Sequence, residues 1–408
     1  MRLLIYGINF SPELTGIGKY TGEMAAWLSA RGHDVRVVTA PPYYPQWRVQ
    51  EGYAGWRYRR ETLKGVHIYR CPLWVPRRLS GLNRLLHLAS FSVSSLPVML
   101  WSGLWSRPDV VLVVEPTSFC IPVAWMTARI GAAAAWLHIQ DFELDAAFEL
   151  GLLRGARIKR WALAMERFWM HRFERVSTIS ERMLERLDAK AVMRERRVLF
   201  PNWVDIHAIK PMTQVSPLRH ELGIADTTVV ALYAGNLGAK QGLEILVQAF
   251  QRLVDRKDLL LVICGDGGER EKLQAMARSF DNIRFLALQP MERLNALLNL
   301  ADIHLLPQRE DAADLVMPSK LTGMLASGRP VIATTQPDTQ VGKVVSGCGI
   351  LVRPGDPDAF ATAISQLADA PVQRRELGAQ ARRYAETQLD KVRILSALES
   401  RLLDLARR

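Results

Sequence analysis

Six apolar residues in a row, Val229–Ala234, end at Gly235-Asn236-Leu237-Gly238, and Leu243, Leu246, Val247 and Phe250 then recur at helical spacing. An unbroken apolar run is buried on both faces, as a strand of a parallel sheet is. The helix that follows lies across such a sheet, so the local unit is strand, Gly-rich turn, helix. Glycines let the backbone approach a ligand closely, and a helix N-terminus offers unpaired N–H groups and a positive dipole end. The turn therefore reads as a phosphate cradle, with Lys240 adding a charge beside it. The plain alternative is an ordinary strand-to-helix connection.

The same rhythm runs through the second half, with core strands predicted at Leu259–Cys264, Ile283–Leu286, Ile303–Leu306, Val331–Ala333 and Ile350–Val352. The first half opens as βαβ: a strand Leu3–Ile8, a loop NFSPELTGIG, a helix through Leu28 and a strand Val35–Thr39. Gly16, Gly18 and Gly22 do not make GxGxxG, and Thr39 stands where a dinucleotide fold wants an acid, so an NAD-type site is not expected. Further strands are expected near Val66–Arg70, Val110–Val114 and Ala134–Ile139, with Ser177–Ser180 and Arg197–Val204 completing the half. At 408 residues two cores are expected. The boundaries fall at 1–205 and 206–384, with 205–228 read as a linker and a C-terminal helix, about 385–408, packing back on the first domain.

Charge is uneven. Residues 1–205 hold 28 Lys/Arg against 18 Asp/Glu, so +10 of the net +12 lies in the first half. That points to an anionic partner. Nucleic acid is not expected, because no recognised binding motif is present. The four cysteines, Cys71, Cys120, Cys264 and Cys348, are scattered without CxxC, which fits a reducing compartment and no zinc site. The opening apolar run soon reaches Ser11-Pro12 and reads as a strand, not a signal core. Leu85–Ser106 is 22 residues without a charge, long enough to span a bilayer, yet its serines, His87 and Pro97 favour a buried or interfacial helix. Arg154–Arg175 mixes Arg157, Arg160 and Arg167 with Trp161, Phe168 and Trp169. It reads either as a membrane-surface helix or as a solvated helix whose aromatics face the core.

Other helix starts share the first one's character. Gly265-Asp266-Gly267-Gly268 follows a strand, and Met317-Pro318-Ser319-Lys320 opens a helix that Ser319 can cap. Such starts at the carboxyl ends of strands face one crevice. The ordered series FSPELTGIG, RGHDVRVVTA, FPNWVD, YAGNLGAKQGLE, ICGDGGEREKL, ADIHLLP and MPSKLTGMLASGRPVIAT resembles the GT4-type branch of the GT-B glycosyltransferases over the full chain, nearest to colanic-acid-type exopolysaccharide enzymes. The resemblance implies an α/β GT-B fold of two doubly wound Rossmann-like domains. The first would bind the acceptor, the second a UDP- or GDP-linked sugar, with the donor in the cleft between them. It implies no cofactor and no metal, because protein groups neutralise the leaving diphosphate.

By resemblance, Gly16 and Gly18 face the diphosphate, with Gly235, Asn236 and Lys240 in the donor loop, Ser319 and Lys320 at the donor helix, and Leu288, Gln289 and Pro290 at the base. Many relatives carry Arg and Lys where this chain has Asn236 and Gln241, and two glutamates where it has Leu315 and Gly323. Glu310, Asp311 and Asp314 are the nearby carboxylates. His138 and Asp141, at the end of a strand, are the catalytic candidates; for His138 the alternative is a hydrogen-bonded structural histidine. The expected activity is retaining hexosyl transfer to a polyprenyl-diphosphate-linked saccharide, by a peripheral protein on the cytoplasmic face of the inner membrane. The alternatives are a GT-B-shaped sugar-nucleotide epimerase, an inverting transferase, or a non-catalytic partner that binds a nucleotide sugar and a membrane.

Overall fold

Two parallel sheets organise the chain. The computed structural model describes residues 1–13, 16–77, 81–116, 118–142, 155–309 and 318–407, without the side chains of Ala156, Ile158 and Lys240. The chain divides into two compact units, Met1–Pro201 with Ile394–Arg408, and Asn202–Arg393.

The first unit is built on an eight-stranded sheet in the order β3-β4-β2-β1-β5-β6-β7-β8. Its strands are β1 (Arg2–Tyr6), β2 (Asp34–Thr39), β3 (Arg59–Leu63), β4 (Val66–Arg70), β5 (Val110–Glu115), β6 (Ala134–Ile139), β7 (Arg175–Thr178) and β8 (Arg197–Leu199). Leu3 pairs in parallel with Val35 on one side and Val110 on the other. All residues of β5 are buried, as a strand covered on both faces must be. The antiparallel edge strand β3 was not expected: RRETL reads as a charged loop, and charge is what an exposed edge tolerates. Its Glu61 accepts from the Nε of Arg70 at 2.6 Å, while Arg70 also donates to the carbonyls of Ala40 and Ser11.

The helices of this unit are α1 (Gly16–Ala30), α2 (Gly81–Trp101), α3 (Cys120–Gly131), α4 (Ala156–Met170) and α5 (Glu181–Ala189). A π-helical turn, Ser102–Ser106, extends α2. By length and composition this segment could cross a membrane. Here it lies on the sheet through Phe91 and Met99, with Ser95 Oγ 2.6 Å from the hydroxyl of Tyr6, while Leu82, Leu86, Val93 and Trp101 face outward. Along α4 and just beyond it the aromatics divide between the core and the surface. Phe173 is buried, Trp169 packs edge-on against Trp125 at 5.9 Å, and Trp161 and Phe168 are exposed. Glu166 of α4 and Lys190 form a buried ion pair. The last helix, Lys391–Ala406, sends Glu399 to Arg31 at 3.2 Å and His33 at 2.8 Å.

The second unit has six parallel strands in the order β11-β10-β9-β12-β13-β14. They are β9 (Val229–Ala234), β10 (Leu259–Cys264), β11 (Ile283–Leu286), β12 (Ile303–Leu306), β13 (Val331–Thr334) and β14 (Gly349–Val352). Its principal helices are α6 (Glu244–Arg252), α7 (Arg270–Ala277), α8 (Ser319–Ala326), α9 (Pro357–Asp369) and α10 (Pro371–Gln388). The strand Val229–Ala234 is central and covered on both faces. Ala231 and Tyr233 join Leu246, Phe250 and Phe360 in one layer, and Val230 and Leu232 join Leu218, Leu297 and Leu300 in the other. The segment read as a linker is packed onto this unit: Lys210 N and Met212 N donate to the side chains of Asn295 and Asn299, and Ser216 donates to the carbonyl of Ala296. Strand order reverses at β1 in the first unit and at β9 in the second, and in such sheets ligands sit outside the carboxyl ends of the strands at the reversal.

Candidate functional site

At the carboxyl end of β9 the chain turns at Gly235, and at the neighbouring end of β10 it turns at Gly265. The two turns interlock through the backbone. Leu237 N donates to Asp266 O at 2.8 Å, and Glu269 N donates to Leu237 O at 2.9 Å. The approach is so close that a Cβ on Gly265 would lie 1.9 Å from Gly235 O, and one on Gly267 2.4 Å from Leu237 O. Both glycines also hold positive φ, +145° and +150°. Arg270 laces this pair to the next strand by donating to the carbonyls of Gly265 and Leu286.

Over this turn sits Lys320, in the first turn of α8. Its ammonium donates to the hydroxyl of Tyr233 at 3.1 Å and lies 4.3 Å from the centre of that ring. The same hydroxyl donates to Asn236 O at 2.7 Å, and a Cβ on Gly235 would be 3.5 Å from Lys320 Cδ. Among the described residues no carboxylate pairs with Lys320. Burial pushes its pKa down to about 7, because a charged ammonium is disfavoured out of water. A cation that is weakly satisfied, held rigidly and set over a glycine turn is the arrangement an incoming phosphate would complete.

The structure thus brings Gly235, Asn236 and Lys320 together. Lys240 stands on a 3₁₀ turn, Ala239–Gln241, that separates the glycine turn from α6, so the helix begins only at Glu244. Ser319 does not cap α8: Pro318 is the capping residue, and Ser319 is exposed at the first helical position without a side-chain capping bond. Leu288, Gln289 and Pro290 follow β11 at the same edge. Leu288 is exposed, and Gln289 donates to Ala287 O at 3.0 Å. Two residues not singled out in the sequence belong here. Tyr233 supports Lys320. Arg309, beyond the end of β12, packs its Cγ 2.9 Å from where a Cβ of Gly242 would be. Glu310, Asp311, Asp314 and Leu315 lie outside the described residues, while Gly323 lies inside α8.

In the first unit, Gly16 starts α1 with φ +60°, and Gly18 is buried against the preceding loop, where a Cβ would meet Glu13 Oε2 at 2.5 Å. Glu13 is another residue the sequence reading passed over. Only 2 % exposed, it accepts from Tyr43 N, Tyr44 N and Asn9 Nδ2, tying its own loop to the one that follows β2. Its burial lifts the carboxyl above the ordinary range. Glu115, the last residue of β5, is also buried and accepts from Ser118.

His138 is 1 % exposed, packed against Phe200 with the ring centres 4.8 Å apart and the planes tilted by 56°, with Nδ1 2.9 Å from Ser177 Oγ and Nε2 3.0 Å from Gln140 Nε2. The amide donating to Nε2 leaves the proton on Nδ1, facing Ser177. Burial holds the ring neutral, with its pKa lowered to about 3. Asp141 lies half-buried just past the strand end. No group of three or more His, Cys, Asp or Glu able to hold a metal occurs among the described residues.

Comparison with known proteins matches residues 15–203 to the glycosyl transferase 4-like domain and residues 228–370 to glycosyl transferases group 1. WcaI of Escherichia coli (strain K12), a glycosyl transferase named for colanic acid biosynthesis, is 44% identical over 405 residues, 97% of this chain and 98% of that protein. A Corynebacterium glutamicum protein named as a GDP-mannose-dependent mannosyltransferase of a phosphatidylinositol monomannoside is 29% identical over 46% of this chain and 51% of its own length. Among solved structures, sucrose-phosphate synthase from Thermosynechococcus elongatus superposes with TM-score 0.77 at 16% identity, covering 99% of this chain and 98% of that one. Anabaena HepE in complex with UDP superposes with TM-score 0.71 at 16% identity, covering 99% and 100%. These likenesses show the fold, which is GT-B.

Proposed function

The chain belongs to the GT4-type glycosyltransferases of GT-B fold, and from that premise we propose that it moves a hexose from a UDP- or GDP-linked donor to a lipid-linked saccharide in exopolysaccharide synthesis of the colanic-acid type. The pathway reading draws on the name of WcaI; the choice of bases draws on the GDP-mannose named for one relative and the UDP bound to one structural neighbour. Retention of configuration, independence of a metal and a polyprenyl diphosphate carrier are carried from the family resemblance. The first unit would take the acceptor and the second the donor.

The observation that carries the reading is the Lys320–Tyr233 pair over the Gly235 turn. As the bond from the sugar C1 to the phosphate oxygen breaks, negative charge collects on the diphosphate. Lys320 and the loop's backbone amides would stabilise it, with Arg309, and Lys240 of the 3₁₀ turn, proposed as further cations. The acceptor oxygen bonds to C1 and loses its proton, for which Asp141 is the proposed acceptor. His138, enclosed and bonded at both nitrogens, would act through Gln140 as a positioning residue. The base would lie along Leu288, Gln289 and Pro290, and Gly16 and Gly18 would hold the first unit's loop toward the diphosphate. Ser319, exposed at the start of α8, is a further hydroxyl for a phosphate oxygen.

A lipid-borne acceptor places the enzyme on the cytoplasmic face of the inner membrane, and the +10 carried by residues 1–205 suits that anionic surface. Titration with a panel of UDP- and GDP-sugars tests the function. Slow release of UDP or GDP supports a transferase. Formation of an epimer marks an epimerase, and binding without turnover marks a non-catalytic module; either outcome overturns the proposal.

A further inference from the structure

The amino ends of β6 and β7 form the edge of the first sheet opposite His138 and Asp141, and a cavity of about 460 Å³ opens there. Arg129, Arg172, Arg175 and Arg196 line it, against two carboxylates, Glu174 and Glu195. Trp125 forms a wall, with the guanidinium groups of Arg129 and Arg172 at 5.6 and 5.8 Å from its ring. The indole nitrogen of Trp125 is buried and has no hydrogen-bond acceptor among the described residues. The transfer proposed above makes no use of this site.

The helices that lead to the lining carry an exposed apolar rim of their own: Met126 and Ile130, next in the chain to Trp125 and Arg129 on α3, and Trp161 and Phe168 on α4, the Phe168 ring lying under the Arg172 guanidinium. The π-turn after α2 continues this rim, since Gly103 packs so closely on α3 that a Cβ would lie 2.9 Å from Thr127 O. That turn carries Leu104 and Trp105, the latter 68% exposed and stacked on Trp101.

We propose that the cavity seats the phosphate of an anionic membrane lipid while the aromatic rim lies in the headgroup layer. Guanidinium forks match phosphate geometry, and indole rings favour the boundary between water and hydrocarbon. A soluble phosphate would be served by the arginines alone, so the apolar rim decides for a lipid. The inference rests on the reading of a lipid-borne acceptor and deepens it by naming the surface that meets the membrane.

Flotation with vesicles of phosphatidylcholine, with and without phosphatidylglycerol, tests it at low salt. The wild-type chain should bind only the anionic vesicles. Arg129→Gln with Arg172→Gln should weaken binding about thirtyfold, near fivefold for each arginine at an anionic leaflet. Glu195→Gln should strengthen binding about fivefold, a gain that misfolding cannot produce. Hydrolysis of the sugar nucleotide should be unchanged in all of these variants. Anionic-vesicle binding that ignores the cavity substitutions overturns the inference and leaves membrane attachment standing. A wild-type chain that ignores anionic vesicles overturns both. Binding of inorganic phosphate in the cavity without vesicle binding marks a soluble-anion site and also overturns the inference.

Discussion

Replacing Lys320 with alanine removes one ammonium whose hydrogen bond among the described residues goes to Tyr233, and which faces the turn at Gly235. One preorganised charged donor aimed at charge that develops in the transition state is worth about 2–4 kcal/mol. That corresponds to a kcat lower by roughly 30- to 1000-fold. The cost to the fold is much smaller. The lost hydrogen bond contributes about 1 kcal/mol. Against it stands the relief of a charge that burial disfavours, which is why the pKa falls to about 7. The sign can be checked. The folded value lies below the ordinary lysine value of about 10.5, so the burial penalty is complete below pH 7 and fades as pH rises from there toward 10.5. Lys320→Met should therefore stabilise the protein at pH 6, with the gain shrinking by pH 10. Turnover of the donor, followed by UDP or GDP release, and thermal unfolding at both pH values provide the two readouts. A kcat within twofold of wild type in Lys320→Ala would refute the reasoning about the donor turn.

Gly265→Ala should destabilise by about 2–5 kcal/mol, because its methyl would collide with Gly235 O at a positive φ; thermal melting and the donor KM should worsen together. Glu13→Ala strands the amides of Tyr43, Tyr44 and Asn9 and should cost several times the about 1–3 kcal/mol of one buried unpaired donor. Glu13→Gln should be far milder. Since burial raises the Glu13 pKa, its contribution to stability falls as pH rises through the folded value, so the glutamine variant should compare better with wild type at pH 7 than at pH 4. His138 and His304 are each lowered by burial to about 3, so their contribution is full above pH 6.5 and is lost as pH falls toward 3. Urea unfolding should show that His138→Asn loses less stability than wild type between pH 7 and pH 4.5.

The strands were legible wherever burial on both faces made them apolar, as in β5, β9 and β10. The edge strand β3 was not, because its RRETL pattern answers to solvent and to Arg70 rather than to the core. Glycines announced the donor turn, but not why each is a glycine. Gly18 yields to a carboxylate five residues back, and Gly265 to a carbonyl on the neighbouring strand. Tyr233 looked like strand filling, and its hydroxyl meets Lys320, 87 positions further along the chain, only once the intervening chain is folded. Ser319 looked like a cap because its type favours one. Pro318 took that place, with its φ fixed near −63°. The apolar run Leu85–Ser106 gave length without facing. Only the contacts of Phe91, Ser95 and Met99 separate its buried side from its exposed one.

Hydrogen exchange of the full chain, with and without a saturating sugar nucleotide that it turns over, measures directly where the donor is held. Protection should appear at the amides of residues 235–242, 265–270, 288–289 and 319–321, the turns that meet at the carboxyl edge of the second sheet. Protection confined to the first unit, or none at these turns, would contradict the account.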